Sequence, residues 1–358
     1  MEEWIKCPLG DILNFRRGHD LPKTSMVPGD IPVAGSNGII GFHNVSTPIS
    51  PCITIGRSGN VGTPYIYDKC WAHNTVLYID DYKGNDPKYL YYLLKTLPLA
   101  SFGGGSAVPT LNRNHIHPLE VVFCKDLELQ KQIVGILSKI DDKIELNRQI
   151  NDNLEQQASS LLSDWISTYP CRTYKLSDIC KYANAKCETG NLTPQNYIST
   201  ENMLPNKKGI VEASNIPTGK ATCYKVDDIL IANIRPYFQK IWKADINGGC
   251  SADVLCIRAN IESHSPILYW LLHQDAFFEY VMTGAKGCKM PRGDKQHIMN
   301  WSIDLPEVQY WADLATQLGS IDQQIAYNRI ESINLSNLRD TLLPKLMSGE
   351  IKINEIDC

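Results

Sequence analysis

The side chains with the most chemical potential in this chain stand on loops rich in glycine. Cys52-Ile53-Thr54-Ile55 runs into Gly56-Arg57-Ser58-Gly59-Asn60-Val61-Gly62, with Arg57, Ser58 and Asn60 at its tip. A comparable run, Ile229-Leu230-Ile231-Ala232-Asn233-Ile234-Arg235-Pro236-Tyr237, leads to Arg235 and Tyr237. Neither loop has the G-x-x-x-x-G-K-[ST] or G-x-G-x-x-G spacing that cradles a nucleotide phosphate. Gly56-Arg57-Ser58-Gly59 is not a nucleophile elbow either, because its second glycine comes one residue early for G-x-S-x-G. The eight histidines make no H-E-x-x-H arrangement, which disfavours metal catalysis.

What remains on the loops is Arg, Lys, Ser, Asn and Tyr, the types that reach base edges and phosphates where glycine permits close approach. The candidate contacts are Ser36, Asn37, Arg57, Ser58, Asn60, Ser106 and Arg113 in the first half of the chain. In the second half they are Arg235, Tyr237, Lys286, Lys289 and Arg292. Ordinary loops carry the same residue types, so the case for base readout depends on what positions them.

The positioning elements read as two α+β modules. Ile31 to Gly41 is strand, turn, strand, with Asn37-Gly38 supplying the positive φ of a tight turn. Each module closes with a Leu-rich helix, Leu90-Tyr91-Tyr92-Leu93-Leu94 or Leu268-Tyr269-Trp270-Leu271-Leu272. A loop of small residues follows, Gly103-Gly104-Gly105-Ser106 or Gly284-Ala285-Lys286-Gly287.

An internal repeat organises the whole. Residues 133 to 167 match the positions 181 further on at 11 of 35 sites, among them Leu137, Ile140, Asp141, Ile144, Asn147 and Arg148. The modules echo more weakly: Leu9-Gly10-Asp11-Ile12 answers to Leu176-Ser177-Asp178-Ile179, and Pro109 with His115-Ile116 answers to Pro291 with His297-Ile298. The layout is module 1–125, helix 126–168, module 169–308, helix and tail 309–358.

Both helical segments carry a heptad seam. Ile133, Leu137, Ile140, Ile144, Asn147, Asn151, Leu154, Ala158, Leu161 and Trp165 alternate spacings of four and three. Leu314, Leu318, Ile321, Ile325, Asn328, Ser332, Leu335, Arg339, Leu342 and Leu346 keep the same register. Two helices of about 33 residues, near 50 Å each, are expected to pair antiparallel, neither with an internal proline before Pro344. Asn147 would then face Ser332 and Asn151 face Asn328, a polar layer that fixes register at some cost in stability.

Charge follows the same division. The chain of 358 residues has a net charge of −4, but by segment it reads +1, −4, +2 and −3. Acidic segments repel phosphate, so nucleic acid would meet the modules and protein partners the helices. With 43% apolar and 21% charged residues the chain folds rather than staying disordered. Its twelve cysteines are scattered singles without a C-x-x-C pair, and no run approaches the ~18 apolar residues of a membrane span. A cytoplasmic protein without membrane association is expected. Two similar, unequal modules on a strut of about 50 Å could meet sites about one DNA turn apart.

These residues resemble the specificity subunits of type I restriction-modification systems. The likeness rests on Leu9-Gly10-Asp11-Ile12, on Gly35-Ser36-Asn37-Gly38-Ile39-Ile40-Gly41 and on Ile55 to Gly62. Above all it rests on Ile140-Asp141-Asp142-Lys143-Ile144-Glu145-Leu146-Asn147-Arg148-Gln149 and its echo from Ile321 to Arg329. The resemblance implies two target-recognition domains reading a bipartite double-stranded DNA sequence, separated by an antiparallel two-helix coiled coil. It implies docking of two methyltransferase subunits, with or without two restriction subunits. It also implies a subunit that performs no chemistry and binds no cofactor, with S-adenosylmethionine, ATP and Mg²⁺ on the partners. The rival readings are a protein-interaction scaffold built on the coiled coil, the specificity subunit of a related type II methyltransferase-nuclease, and a self-sufficient enzyme. Two departures stand out: Phe123-Cys124-Lys125-Asp126-Leu127 lacks the proline usual before the first helix, and the second module lacks the Ser-Asn-Gly and Gly-Arg-Ser-Gly loops.

Overall fold

The computed structural model describes residues 4–104, 109–287 and 289–353. The chain divides into two compact units, Met1–Glu145 with Ser332–Cys358, and Leu146–Glu331. Both are α+β.

In the first unit, Cys52–Gly56 is buried along its whole length and lies inside a four-stranded antiparallel sheet in the order Asn14–Arg17, Val76–Asp81, Cys52–Gly56, Pro64–Tyr67. Its Ile- and Thr-rich sequence suits a strand covered on both faces. A smaller sheet pairs Ile31–Gly35 with Gly38–His43 and Trp71–Ala72. In that hairpin Ser36 and Asn37 occupy the turn, and Gly38 alone takes the positive φ, at 92°. The expected Asn-Gly turn is thus shifted back by one residue. Trp4–Pro8 and Glu120–Cys124 pair at the module's base. The Leu-rich helix Pro87–Thr96 starts on Asp86, whose carboxylate accepts from Tyr89 N at 2.9 Å, and has proline in its first turn.

The second unit repeats this plan. Cys180–Tyr182, Val254–Ala259, Ile229–Ala232 and Ile241–Lys243 form the main sheet in that order. Cys171–Lys175 pairs with Ser302–Pro306 at the base. Its small sheet has four strands, Lys186–Glu188, Lys220–Tyr224, Gly248–Cys250 and Tyr197–Ile198. The first module's small sheet has three.

The two long helices exceed the heptad count. They run Leu127–Thr168, 42 residues, and Trp311–Ser348, 38 residues. Asp126 starts the first by accepting from Glu128 N at 2.8 Å and Leu129 N at 3.2 Å. Pro344 lies inside the second. Proline forfeits one bond to the carbonyl four residues back, here that of Asp340, an exposed residue that water can serve.

In the first unit Ile133 and Leu137 share one core with Leu343, Leu346 and Met347, and Asp141 meets Arg339 at 2.8 Å. In the second, Ala158, Leu162 and Trp165 share a core with Leu314, Leu318 and Trp270. Within each unit the paired helical stretches are antiparallel. Asn328 donates to Asn151 Oδ1 at 2.8 Å, and Asn147 donates to Glu331 at 2.7 Å and to the Asn328 carbonyl at 3.4 Å. Gln324 donates to Asn328 Oδ1 at 2.8 Å. Gln324 and Glu331 extend the polar layer beyond the residues that the heptad names. Ser332 is half-buried in the first unit.

Each long helix also carries an aspartate aimed at its module. Asp141 accepts from Tyr92 Oη at 2.7 Å and from Arg339. Its repeat partner Asp322 accepts from Trp270 Nε1 at 2.8 Å and from Lys243 Nζ at 2.7 Å. The repeat preserved these aspartates while changing their donors.

Candidate nucleic-acid interface

The first glycine loop is a closed turn with its tip presented to solvent. A Cβ on Gly56 would lie 1.8 Å from the Asn60 carbonyl oxygen, so only glycine fits there. Gly62 N donates back to Gly56 O at 2.8 Å, and Gly56 N to Thr63 O at 3.1 Å. Ser36 is buried inside this turn, donating from Oγ to Thr75 O at 2.5 Å and accepting from Ser58 N at 3.5 Å. It therefore holds the loop, and Asn37 is the exposed residue of the neighbouring hairpin tip.

A crossing segment fastens the loop from above. Gly59 N donates to Pro109 O at 3.4 Å, Leu111 N to Arg57 O at 2.8 Å, and Thr110 exchanges two bonds with Gly104, of 2.9 and 3.1 Å. The second module has the same three-way lock on other residues. Arg235 N donates to Pro291 O at 2.8 Å, Gly293 N to Asn233 O at 3.2 Å, and Arg292 exchanges two bonds of 2.9 Å with Lys286. Arg235 thus stands where Gly59 stands, and both have positive φ, 52° and 87°. Arg57 corresponds to Asn233, Asn112 to Asp294 and Arg113 to Lys295. Asn112 and Asp294 each cap the short helix that follows, accepting from Asn114 N at 3.0 Å and from Gln296 N at 2.9 Å.

This lock brings Arg235, Lys286 and Arg292 together on one surface of the second module. All three are exposed, as are Lys289 and Tyr237, whose ring lies tilted against that of Phe238, centroids 4.6 Å apart. Lys286 is bonded to Asp294 at 2.6 Å, and Arg292 lies 3.1 Å from Asp253. The Lys286 bond, with the backbone N–H groups of His297 and Gln296, holds the Asp294 carboxyl down at about 2. In the first module Arg57 is half-buried and Asn60 and Arg113 are exposed. Ser58 bridges to Thr110. Ser106 lies outside the described residues.

Two arginines that the loops gave no reason to choose join this set. Arg16 and Arg17, at the end of strand Asn14–Arg17, line a cleft of about 410 Å³ with Arg57 and Arg113. Their signal in the sequence is only an exposed pair following an alternating strand. Arg113 Nη1 donates to Phe15 O at 3.1 Å and Arg57 Nη1 to Asn74 O at 3.4 Å, which tethers both guanidinium groups. His117 accepts from Phe15 N through Nε2 at 3.1 Å, a bond that needs the neutral ring. Burial, then the charges of Arg113 and Lys83, push its pKa below the ordinary histidine value in keeping with that bond. Guanidinium and amide groups on a locked backbone can bind phosphate and base edges. Among the described residues no group of three or more His, Cys, Asp or Glu is placed to hold a metal, and no helix is long and apolar enough to cross a membrane.

The two units thus repeat one α+β module with basic, amide-rich loop surfaces. Residues 1–156 match the family described as Type I restriction modification DNA specificity domain. The chain is similar to the specificity subunits of type I restriction-modification systems. It is 24% identical over 313 residues to the type I restriction enzyme MjaIX specificity subunit of Methanocaldococcus jannaschii, covering 75% of this chain and 70% of that one. A 40-residue stretch, 11% of this chain and 9% of the relative, is 52% identical to the type I restriction enzyme HindI specificity subunit of Haemophilus influenzae. In fold it is similar to the type I restriction-modification S subunit from M. genitalium, with a TM-score of 0.61, 18% identity and 96% of each chain covered.

Proposed function

We propose that this chain reads a bipartite double-stranded DNA target for a type I restriction-modification complex and leaves the chemistry to its partners. Residues 1–125 read one half of the target and residues 169–308 the other. The helical segments 126–168 and 309–358 serve as spacer and as the docking face for two methyltransferase subunits, joined by two restriction subunits where the complex cleaves DNA. S-adenosylmethionine, ATP and Mg²⁺ belong to those partners.

The observation that carries this reading is the repeated three-way lock. The same backbone bonds hold a loop after the central strand of each module, with Gly59 at one tip and Arg235 at the other. A shared platform bearing different side chains is what reading two different half-sites requires. The contacts in the first module are Asn37, Arg57, Ser58, Asn60 and Arg113, with Ser36 holding the loop, and Ser106 by its place in the sequence. On the second they are Arg235, Tyr237, Lys286, Lys289 and Arg292.

The test is methylation of a randomised DNA library by the full complex, read by sequencing. Arg57→Ala and Arg292→Ala each remove a group able to contact a base or phosphate, and a lost base contact costs about 1–3 kcal/mol. The two changes should weaken recognition of opposite half-sites. If both altered the same half, or neither altered methylation, the reading would fall.

A further inference from the structure

The cleft beside the glycine loop has a counterpart in the second module, and the two are lined by equivalent positions. In the main sheets Phe15 pairs with Ile79 and Arg16 with Tyr78, while Tyr182 pairs with Ile257 and Ala183 N donates to Cys256 O at 2.9 Å. The chain therefore enters the first cleft through Arg16 and Arg17, and the second through Ala183 and Asn184. Leu77 floors the first cleft and Leu255 the second, each 2% exposed. Arg113 stands at the wall of one and Lys295 at the wall of the other. The second cleft is smaller, about 120 Å³ against about 410 Å³.

Sheet pairing and cleft lining are independent, and they agree on the same equivalences. No carboxylate is among the residues lining either cleft. Arg17 approaches Asp20 only at 3.7 Å, with both side chains more than half exposed, a pair worth little in water. Four guanidinium groups around one opening repel one another, a cost that an electron-rich ligand reverses. Arg57 and Arg113 are tethered to backbone carbonyls, whereas Arg17 presents its fork from the strand end. The exchange of Arg17 for Asn184 is chemically pointed. Arg makes two bonds to the O6 and N7 of guanine, and Asn makes two to the N6 and N7 of adenine.

We propose that Arg17 and Asn184 are specificity-determining residues at equivalent places in the two modules, Arg17 reading a guanine in one half-site and Asn184 an adenine in the other. Arg16 and Arg113 in the first cleft, and Lys295 in the second, hold the flanking phosphates. This rests on the DNA-reading function proposed above and names the bases that function would read.

The experiment assembles the full-length chain with its methyltransferase subunits, methylates a randomised DNA library and sequences the products. Arg17→Asn should lower discrimination at one guanine of one half-site by roughly 10- to 100-fold and leave the other half unchanged. Asn184→Arg should change one position of the other half from adenine towards guanine. Arg17→Lys keeps the charge but loses the fork, so it should relax the same guanine as Arg17→Asn does, whereas a phosphate contact would tolerate lysine. Both residues are exposed, and melting curves check that the variants fold. A uniform drop in methylation with the motif intact would make Arg17 a phosphate contact and overturn the assignment. A bipartite motif indifferent to Arg17→Asn and Asn184→Arg would overturn it too, while leaving the DNA-reading function standing. A wild-type complex that methylates without any bipartite motif would overturn that function and the assignment with it.

Discussion

Replacing Asp322 with alanine should destabilise the second unit strongly, and the structure gives the size of the effect. The Asp322 side chain is 10% exposed and accepts from Lys243, 12% exposed, and from the indole of Trp270, itself 1% exposed. Burial raises the Asp322 pKa against the pull of Lys243 and of the Trp270 bond, so the carboxylate is held at a desolvation cost that only its partners offset. Removing it leaves the indole N–H unsatisfied, about 1–3 kcal/mol. It also strips a buried ammonium of one partner, and breaking a buried pair costs about 3–5 kcal/mol. Lys243 keeps Asp227 at 2.9 Å, which is 42% exposed, so the lower ends apply and the total is about 4 kcal/mol. At about 2–4 °C per kcal/mol for a unit of this size, the melting transition should fall by about 8–16 °C. Asp322→Asn keeps one acceptor and should lose about half as much. The repeat supplies the control. Asp141 and Arg339 are 29% and 19% exposed, and Arg339 also holds Asp340 at 2.8 Å, so Asp141→Ala should cost only about 1–2 kcal/mol. Calorimetry resolves the transitions. Equal losses from Asp322→Ala and Asp141→Ala, or a loss below about 0.5 kcal/mol from Asp322→Ala, would refute reasoning by burial.

Burial, reinforced by Asp152 and opposed by Lys207, raises the Glu155 carboxyl to about 7 from 4.5. A raised acid pKa favours the folded state at low pH, so this group's contribution should be lost as pH rises from about 4.5 to 7. Glu155→Gln should flatten that part of the stability profile measured by denaturant titration at successive pH values. His273 is held neutral by burial, with a pKa near 3 against 6.5, so stability should fall as pH drops below 6.5, and His273→Gln should blunt that fall. Replacing Asn147, Asn151, Asn328 and Ser332 with leucine should raise thermal stability while loosening register; a single well-ordered antiparallel register, seen by cross-linking or crystallography, would remove the register role. Gly56→Ala should disrupt the first loop, given the 1.8 Å approach to the Asn60 carbonyl, and abolish recognition of one half-site in the methylation assay while the other persists.

The parts legible in the sequence were those governed by periodicity and duplication. Heptad spacing places Leu137, Ala158 and Leu318 in the cores that they occupy, because a helix repeats its face every few residues whatever lies beyond it. The start of the first helix was not legible, since Asp126 acts through a cap that no heptad pattern encodes. Ser36 reads like any loop serine, yet its hydroxyl is committed to Thr75 O, a residue far along the chain. Arg16, Arg17 and Asn184 stayed hidden for a similar reason. They meet Arg57, Arg113 and Lys295 only through strand pairing, so sequence distance concealed them.

The duplication shows how one architecture can serve two targets. Bonds between backbone atoms are indifferent to side chains, so the lock of Gly59 on Pro109 and of Leu111 on Arg57 survives as Arg235 on Pro291 and Gly293 on Asn233. Side chains projecting from those positions are free to diverge, and they have: Arg57 became Asn233 and Arg113 became Lys295. Where a side chain carries the structure, the pattern reverses. Asp141 and Asp322 are retained while the groups they hold, Tyr92 with Arg339 and Trp270 with Lys243, differ in kind but remain donors. An aspartate anchored in a helix seam can tolerate any donor that reaches it, whereas a buried donor left without an acceptor costs about 1–3 kcal/mol. On the proposed function, selection on the fold acts on the lock and the aspartates, and selection on the target acts on the tips and clefts. The near-neutral charge of each module follows from this division, because a strongly basic surface would hold every DNA sequence about equally.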